Sequence, residues 1–271
     1  MRVLIGLVRL ARCFGHLLAG LWMVRHLSGM TGVERESHIR HWSLGLLQRL
    51  GLTVESAGPL PPGACLIVAN HISWLDIAAI HACWPQARFI SKADVRHWPV
   101  IGWMVAAAGT LFIERESKRD ALRVVHHMAD ALRAGDALAV FPEGTTSEGH
   151  ALLNFHANLF QAAIAVAVPV QPVLLRYADP AHAISPAVAY VGDTTLLGSL
   201  WRIACARGLS VQVEALPQIV PLAGMERRDL AQQARGAITA ALEASIRVND
   251  NDGGDPRCST SSSPRPPATS S

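Results

Sequence analysis

The sequence predicts an α/β fold: a mostly parallel or mixed sheet flanked by helices, preceded by an amphipathic, membrane-associating N-terminal helical segment. Three observations predict it. Apolar runs of strand length alternate with stretches of helical periodicity from residue 51 to 248, the pattern of strand–helix–strand units. Two polar clusters directly follow apolar strands, where sites gather in such sheets. The N-terminal segment is greasy on most of its circumference and carries a narrow basic stripe.

The elements follow in order. Residues 1–50 form the membrane-associating part. Arg2, Arg9, Arg12 and His16 fall within an arc of about 80° when residues are placed 100° apart, and Leu, Ile, Val, Phe, Trp and Met fill the rest. A stripe of this kind describes a helix lying in a membrane interface. A helix buried against the domain with snorkelling arginines, or a tilted span over residues 3–24, are the alternatives. A second amphipathic stretch, 37–50, places Ile39, Trp42, Leu46, Leu47 and Leu50 near one face. Residues 51–248 form the α/β domain. Its strand signals are 52–56, 64–70, 87–91, 110–115, 137–141, 169–176, 187–191 and 210–215. Its helical signals are 73–83, 98–108, 117–133, 153–166, 195–206 and 226–247, the last repeating Leu230, Ala234, Ile238 and Leu242 on one face. Residues 249–271, rich in Asn, Asp, Gly, Ser and Pro, read as a disordered tail.

Composition narrows the function classes. Half of the 271 residues are hydrophobic and 17% are charged, with mean hydropathy +0.25 and pI near 8.8. The net charge of +3 suits an anionic membrane surface or an acidic substrate, and no nucleic-acid partner is expected. The five cysteines are scattered without a CxxC pair, which argues against a disulfide framework or a zinc site and fits a reducing compartment.

The first polar cluster is Asn70-His71-Ile72-Ser73-Trp74-Leu75-Asp76. Of the twelve histidines, His71 alone has an aspartate five residues on. A neutral imidazole accepts a hydroxyl proton near pH 7, and a nearby carboxylate fixes its tautomer and stabilises the imidazolium. No GxSxG nucleophile elbow exists in the chain, so the hydroxyl that His71 activates is expected to belong to a substrate. The second cluster, Phe141-Pro142-Glu143-Gly144-Thr145-Thr146-Ser147, is a Gly turn with hydroxyls suited to an anion. Its Gly144–Gly149 spacing mimics a phosphate-binding loop, but His150 stands where Lys is required, which excludes a nucleotide site of that kind. Taken singly, the first cluster reads sooner as a loop hydrogen-bonded by His71 with Asp76 capping a helix, and the second as an ordinary Pro-Gly turn. Arg115 ends a strand with a fork suited to phosphate. Pro169 and Pro172 suit an edge strand.

In combination the clusters say more. Asn70-His71-xxxx-Asp76, Gly109-xx-Phe112-Ile113-x-Arg115, Phe141-Pro142-Glu143-Gly144-Thr145 and Val168-Pro169-xx-Pro172 occur in this order. The set, with Ser91-Lys92 and Pro99–Trp103 between the first two, resembles the glycerolipid acyltransferase family that includes 1-acyl-sn-glycerol-3-phosphate acyltransferases. The resemblance spans residues 35–220. It implies acyl transfer from a thioester to the free hydroxyl of a lysophospholipid, first of all 1-acyl-sn-glycerol-3-phosphate, giving phosphatidate. His71 would take the hydroxyl proton and Asp76 would orient it. Arg115, Glu143 and Gly144 match family positions assigned to acceptor or phosphate binding. Thr145 and Lys92 are further substrate-binding candidates. Glu143 cannot itself attract phosphate and is expected to orient donors or Arg115. No metal or redox cofactor is implied. The donor would be acyl-CoA or acyl carrier protein, the partners membrane lipids, and the location the cytoplasmic face of the cell membrane.

One departure bears on the acceptor. The family often has Arg after the turn threonine, and here that residue is Thr146. A guanidinium is a strong phosphate ligand and a hydroxyl is not. A lyso-aminolipid such as lyso-ornithine lipid is therefore the alternative acceptor. A non-catalytic lipid-binding protein and a thioesterase are the other classes. An intact His71/Asp76 pair argues against the first, and a lipid-exposed N-terminus against the second.

Overall fold

A computed structural model describes residues 2–27, 30–58, 63–92, 106, 109–113 and 118–252. The expected helix 98–108 apart from residue 106, Arg115 and most of the expected tail lie outside them. Among the described residues seven strands form one sheet, in the order β1-β7-β6-β2-β5-β3-β4. They are β1 Leu52–Ala57, β2 Cys65–Ala69, β3 Arg88–Lys92, β4 Leu111–Ile113, β5 Ala137–Val140, β6 Val170–Ala178 and β7 Leu209–Ala215. All neighbouring pairs are parallel except β6 and β7. The helices are α1 Arg2–Leu27, α2 Gly32–Leu50, α3 Leu75–Cys83, α4 Lys118–Arg133, α5 Gln161–Val166, α6 Leu196–Cys205 and α7 Arg227–Asp252. The last of these runs into the first residues of the expected tail.

Central position explains the strand sequences. All five residues of β2 are buried, because helices cover both faces of a parallel strand and leave no side for polar residues. One face packs on α2 and α3 through residues such as Leu47, Leu50, Leu75 and Ile80. The other packs on α4, α5 and α7 through Val124, Met128, Ala162 and Leu230.

Two expectations are corrected here. Residues 187–191 form no strand. Val188 and Ala189 are buried, but the backbone bonds to loops: Tyr190 N–H donates to Ile72 O at 3.0 Å, and Arg202 donates to Ala189 O. Burial made the segment apolar without placing it in a ladder. Nor is the proline-bearing strand an edge: β6 lies between β7 and β2. Pro172 is tolerated because β7 pairing begins only at Val173. The Pro172 carbonyl accepts from Leu216 N–H at 3.0 Å, just past the end of β7, so the N–H that proline lacks falls beyond the ladder.

The N-terminal helices dock onto this body. Thr31 and Glu34 form a reciprocal capping box that starts α2, and Gly51 ends it in the left-handed region at φ +90°. The polar stripe of α1 is turned partly inward. Arg9 donates to Ala204 O at 3.0 Å and also to Ala206 O, capping the C-terminus of α6. Its guanidinium lies where a side chain at Gly51 would sit. Cys13 is buried, and His16 Nε2 bonds Trp42 O at 2.8 Å. The opposite face exposes Val3, Leu4, Leu7, Val8, Phe14, Leu18 and Trp22, each more than half accessible. Residues 2–25 are long and apolar enough to cross a membrane.

Candidate active site

β2 and β5 are adjacent and parallel, with Val68 opposite Val140. Both polar clusters therefore leave the same end of the sheet side by side. Asn70 sets the exit of β2: its side chain donates to Leu175 O at 2.9 Å and accepts from Leu175 N–H at 2.8 Å. The amide thus copies a backbone pair and carries the β2–β6 ladder past Ala69.

The chain then turns into α3, and Asp76 sits in its first turn. Asp76 Oδ2 accepts from the backbone N–H of Ile72 at 2.7 Å and Ser73 at 2.9 Å. These two bonds close the five-residue loop, so Asp76 reaches back to His71 Nδ1 at 2.7 Å. Asp76 is fully buried, while the His71 side chain keeps 20% of its surface exposed. An ionised carboxylate only accepts, so Nδ1 carries the proton and Nε2 is free to take another. Among the described residues Nε2 has no hydrogen-bond partner. The imidazole lies flat on Phe141, with centroids 4.0 Å apart and planes 7° apart.

The second cluster grips the first. Glu143 accepts from His71 N–H at 2.8 Å and from Leu153 N–H at 2.9 Å. Burial pushes its carboxyl above the usual range, opposed by these two bonds. Ser147 N–H donates to His71 O at 2.8 Å. Thr146 Oγ1 donates to Tyr190 O, so this hydroxyl is engaged within the fold. Gly144 adopts φ +74°, and a Cβ there would meet the His156 ring at 2.9 Å. Gly144 and Thr145 are exposed at the tip of the turn.

Of the residues singled out by sequence, His71, Asp76, Glu143, Gly144 and Thr145 come together here. Lys92 ends β3 opposite Ile113, and its side chain lies outside the described part, as does Arg115. Sequence reasoning missed Tyr177, whose hydroxyl donates to Asp76 Oδ1 at 2.8 Å. The signal was a tyrosine, one of only two in the chain, inside an otherwise apolar strand: a buried phenol needs a partner. Two cavities of about 440 and 340 Å³ open beside Ser56 and Cys83 and beside Arg88 and Asp136. They lie at the opposite end of the sheet, so neither belongs to this site.

The assembly is a histidine oriented by a buried carboxylate, held beside an exposed glycine turn. The chain around it is similar in sequence to known proteins. The family profile named Acyltransferase matches residues 51–176. A lyso-ornithine lipid O-acyltransferase of Pseudomonas aeruginosa is 37% identical over 243 residues, covering 87% of this chain and 93% of that protein. The chain belongs to the acyltransferase family. This acyltransferase is also similar to a 1-acyl-sn-glycerol-3-phosphate acyltransferase of Neisseria meningitidis serogroup B, 38% identical over 70% of this chain and 76% of that one. The crystal structure of a 1-acyl-sn-glycerophosphate acyltransferase from Thermotoga maritima superposes with TM-score 0.66, covering 90% of this chain and 97% of that one. At 19% identity it shows the acyltransferase fold alone. The enzyme is thus an acyltransferase.

Proposed function

We propose that the enzyme transfers a fatty acyl group from a thioester to the hydroxyl of a lyso-lipid, with His71 as general base. The observation that carries this is the 2.7 Å bond between His71 Nδ1 and buried Asp76. It leaves Nε2 to take the acceptor hydroxyl proton. The alkoxide oxygen attacks the thioester carbonyl, the C–S bond breaks, and the imidazolium returns its proton to the departing thiolate. General-base help of this kind is worth about 10²–10⁴-fold. The thioester supplies the leaving group, so the reaction calls on no metal or redox cofactor. Acyl-CoA and acyl carrier protein both fit as donor.

For the acceptor, a lyso-aminolipid of the lyso-ornithine type is the better-supported reading. Thr146 replaces the arginine that the resemblance expects, and its hydroxyl is spent on Tyr190 O. A relative matched over 93% of its own length bears that activity in its name. The second reading, 1-acyl-sn-glycerol-3-phosphate, is favoured by the Neisseria relatives. Acyl transfer by the detergent-purified enzyme, with both acceptors side by side, both donors and a His71→Ala control, tests the reading. Product from the aminolipid alone supports the first acceptor and phosphatidate alone the second. Equal activity in His71→Ala would remove the general base.

The outward apolar face of α1 would seat the enzyme in the cytoplasmic face of the bilayer. Unpaired cysteines and thioester donors fit that side. Substituting Leu4, Leu7 and Phe14 by Glu should abolish co-sedimentation with vesicles; unchanged sedimentation would refute the placement.

A further inference from the structure

We propose that Tyr177 is a positioning residue for the catalytic pair, its hydroxyl fixing the rotation of the Asp76 carboxylate to which the His71 ring is tied. The inference rests on the general-base reading above. The two oxygens of Asp76 are used unequally. Oδ2 takes three donors: His71 Nδ1, Ile72 N–H and Ser73 N–H, at 2.7, 2.7 and 2.9 Å. Oδ1 takes one among the described residues, the Tyr177 hydroxyl at 2.8 Å. A carboxylate turns about its Cβ–Cγ bond. Three donors converging on one oxygen hold that oxygen in place but leave the other to be placed by its own partner. Tyr177 places it from β6, 101 residues away in sequence.

The setting makes this contact matter. Asp76 and Tyr177 are both fully buried, so water cannot replace the phenol. Without it Oδ1 would be an unsatisfied acceptor on a buried anion. Burial, with the adjacent Asp76 charge, pushes the phenol well above its ordinary value, so it stays the donor. β6 is an interior strand paired on both sides, which makes the anchor a rigid one. A phenol kept only for packing would be equally well served by phenylalanine, and this separates the two roles.

The test uses the full-length, detergent-purified enzyme with kcat and KM measured separately. Tyr177→Phe should lower kcat about tenfold and leave KM within about twofold, the signature of an interaction that acts on the chemical step. Added to Asp76→Asn, it should change kcat by less than about twofold, because its effect runs through the carboxylate. Wild-type kcat in Tyr177→Phe, or a full additional loss in the Asp76→Asn background, overturns the proposal. Full activity in His71→Ala would instead sink the general-base reading, so the two failures are distinguishable. A second measurement needs no turnover and no Tyr177 variant. The chain has two tyrosines, so 3-fluorotyrosine labelling gives two fluorine resonances, assigned with Tyr190→Phe. Asp76→Asn should shift the Tyr177 resonance and leave that of Tyr190; an unmoved Tyr177 resonance overturns the proposal.

Discussion

Asp76 and Glu143 are two buried carboxylates, one in each of the segments that follow neighbouring strands, and they are wired differently. Among the described residues Glu143 accepts only from main-chain N–H groups, those of His71 and Leu153. Asp76 also accepts from main chain, but adds the side chains of His71 and Tyr177. The first carboxylate ties loop to loop. The second ties a loop to the ring that would react. Two carboxylates buried side by side thus hold different sets of donors, and the bond to a ring is what makes Asp76 the candidate orienter.

Substitution should separate them. Asp76→Ala removes the ring's orienter, and kcat is expected to fall by about 10³-fold or more, as measured by steady-state acyl transfer. A loss below tenfold would put Asp76 in the architectural class with Glu143. His81 offers the next largest effect, as a buried ring on the same helix with no carboxylate partner among the described residues. It bonds Ala87 O at 3.0 Å, and burial pushes it down to about 4 from an ordinary 6.5. Between those values the unfolded chain binds a proton that the folded one refuses. Stability is therefore present above pH 6.5 and drains away as pH falls towards 4, on the order of 3 kcal/mol in total. Urea unfolding at pH 7 and pH 4.5 measures it, and His81→Gln should flatten the dependence. Glu143→Gln comes third. It keeps one acceptor and misplaces the other, costing about 1–3 kcal/mol of stability while kcat stays within about tenfold of wild type. Loss of kcat at unchanged stability would reverse the comparison. Gly144→Ala is the smallest. Its left-handed backbone costs a side chain about 1–2 kcal/mol, and the new methyl must displace His156. A several-fold rise in KM at nearly constant kcat is the expected result.

The strand–helix alternation was legible because burial on both faces leaves an apolar signature in strands such as β2 and β5. The pairing of His71 with Asp76 was legible because the turn that joins them is local. What sequence concealed is long-range. Nothing in residues 187–191 distinguishes a strand from a buried loop that braces Ile72 and Thr146. The expected helix 153–166 starts only at Ala157, with a single 3-10 turn, because Leu153 N–H is drawn to Glu143 and the carbonyls of Leu152 and Leu153 to Arg235. Tyr177 lies far along the chain from the aspartate it touches. Periodicity found the basic stripe of α1 but not its direction. Inward-facing Arg9 satisfies the Ala204 and Ala206 carbonyls at the end of α6.

That orientation has a practical consequence for anyone seeking a water-soluble form of the enzyme. Trimming α1 would leave the Ala204 and Ala206 carbonyls without Arg9, remove buried Cys13 from the core and uncover the α2 face against which α1 packs. Repainting the outward residues with polar ones keeps the inner seam intact. The anchor and the keystone are two sides of one helix, and solubility should be sought by altering the first without removing the second.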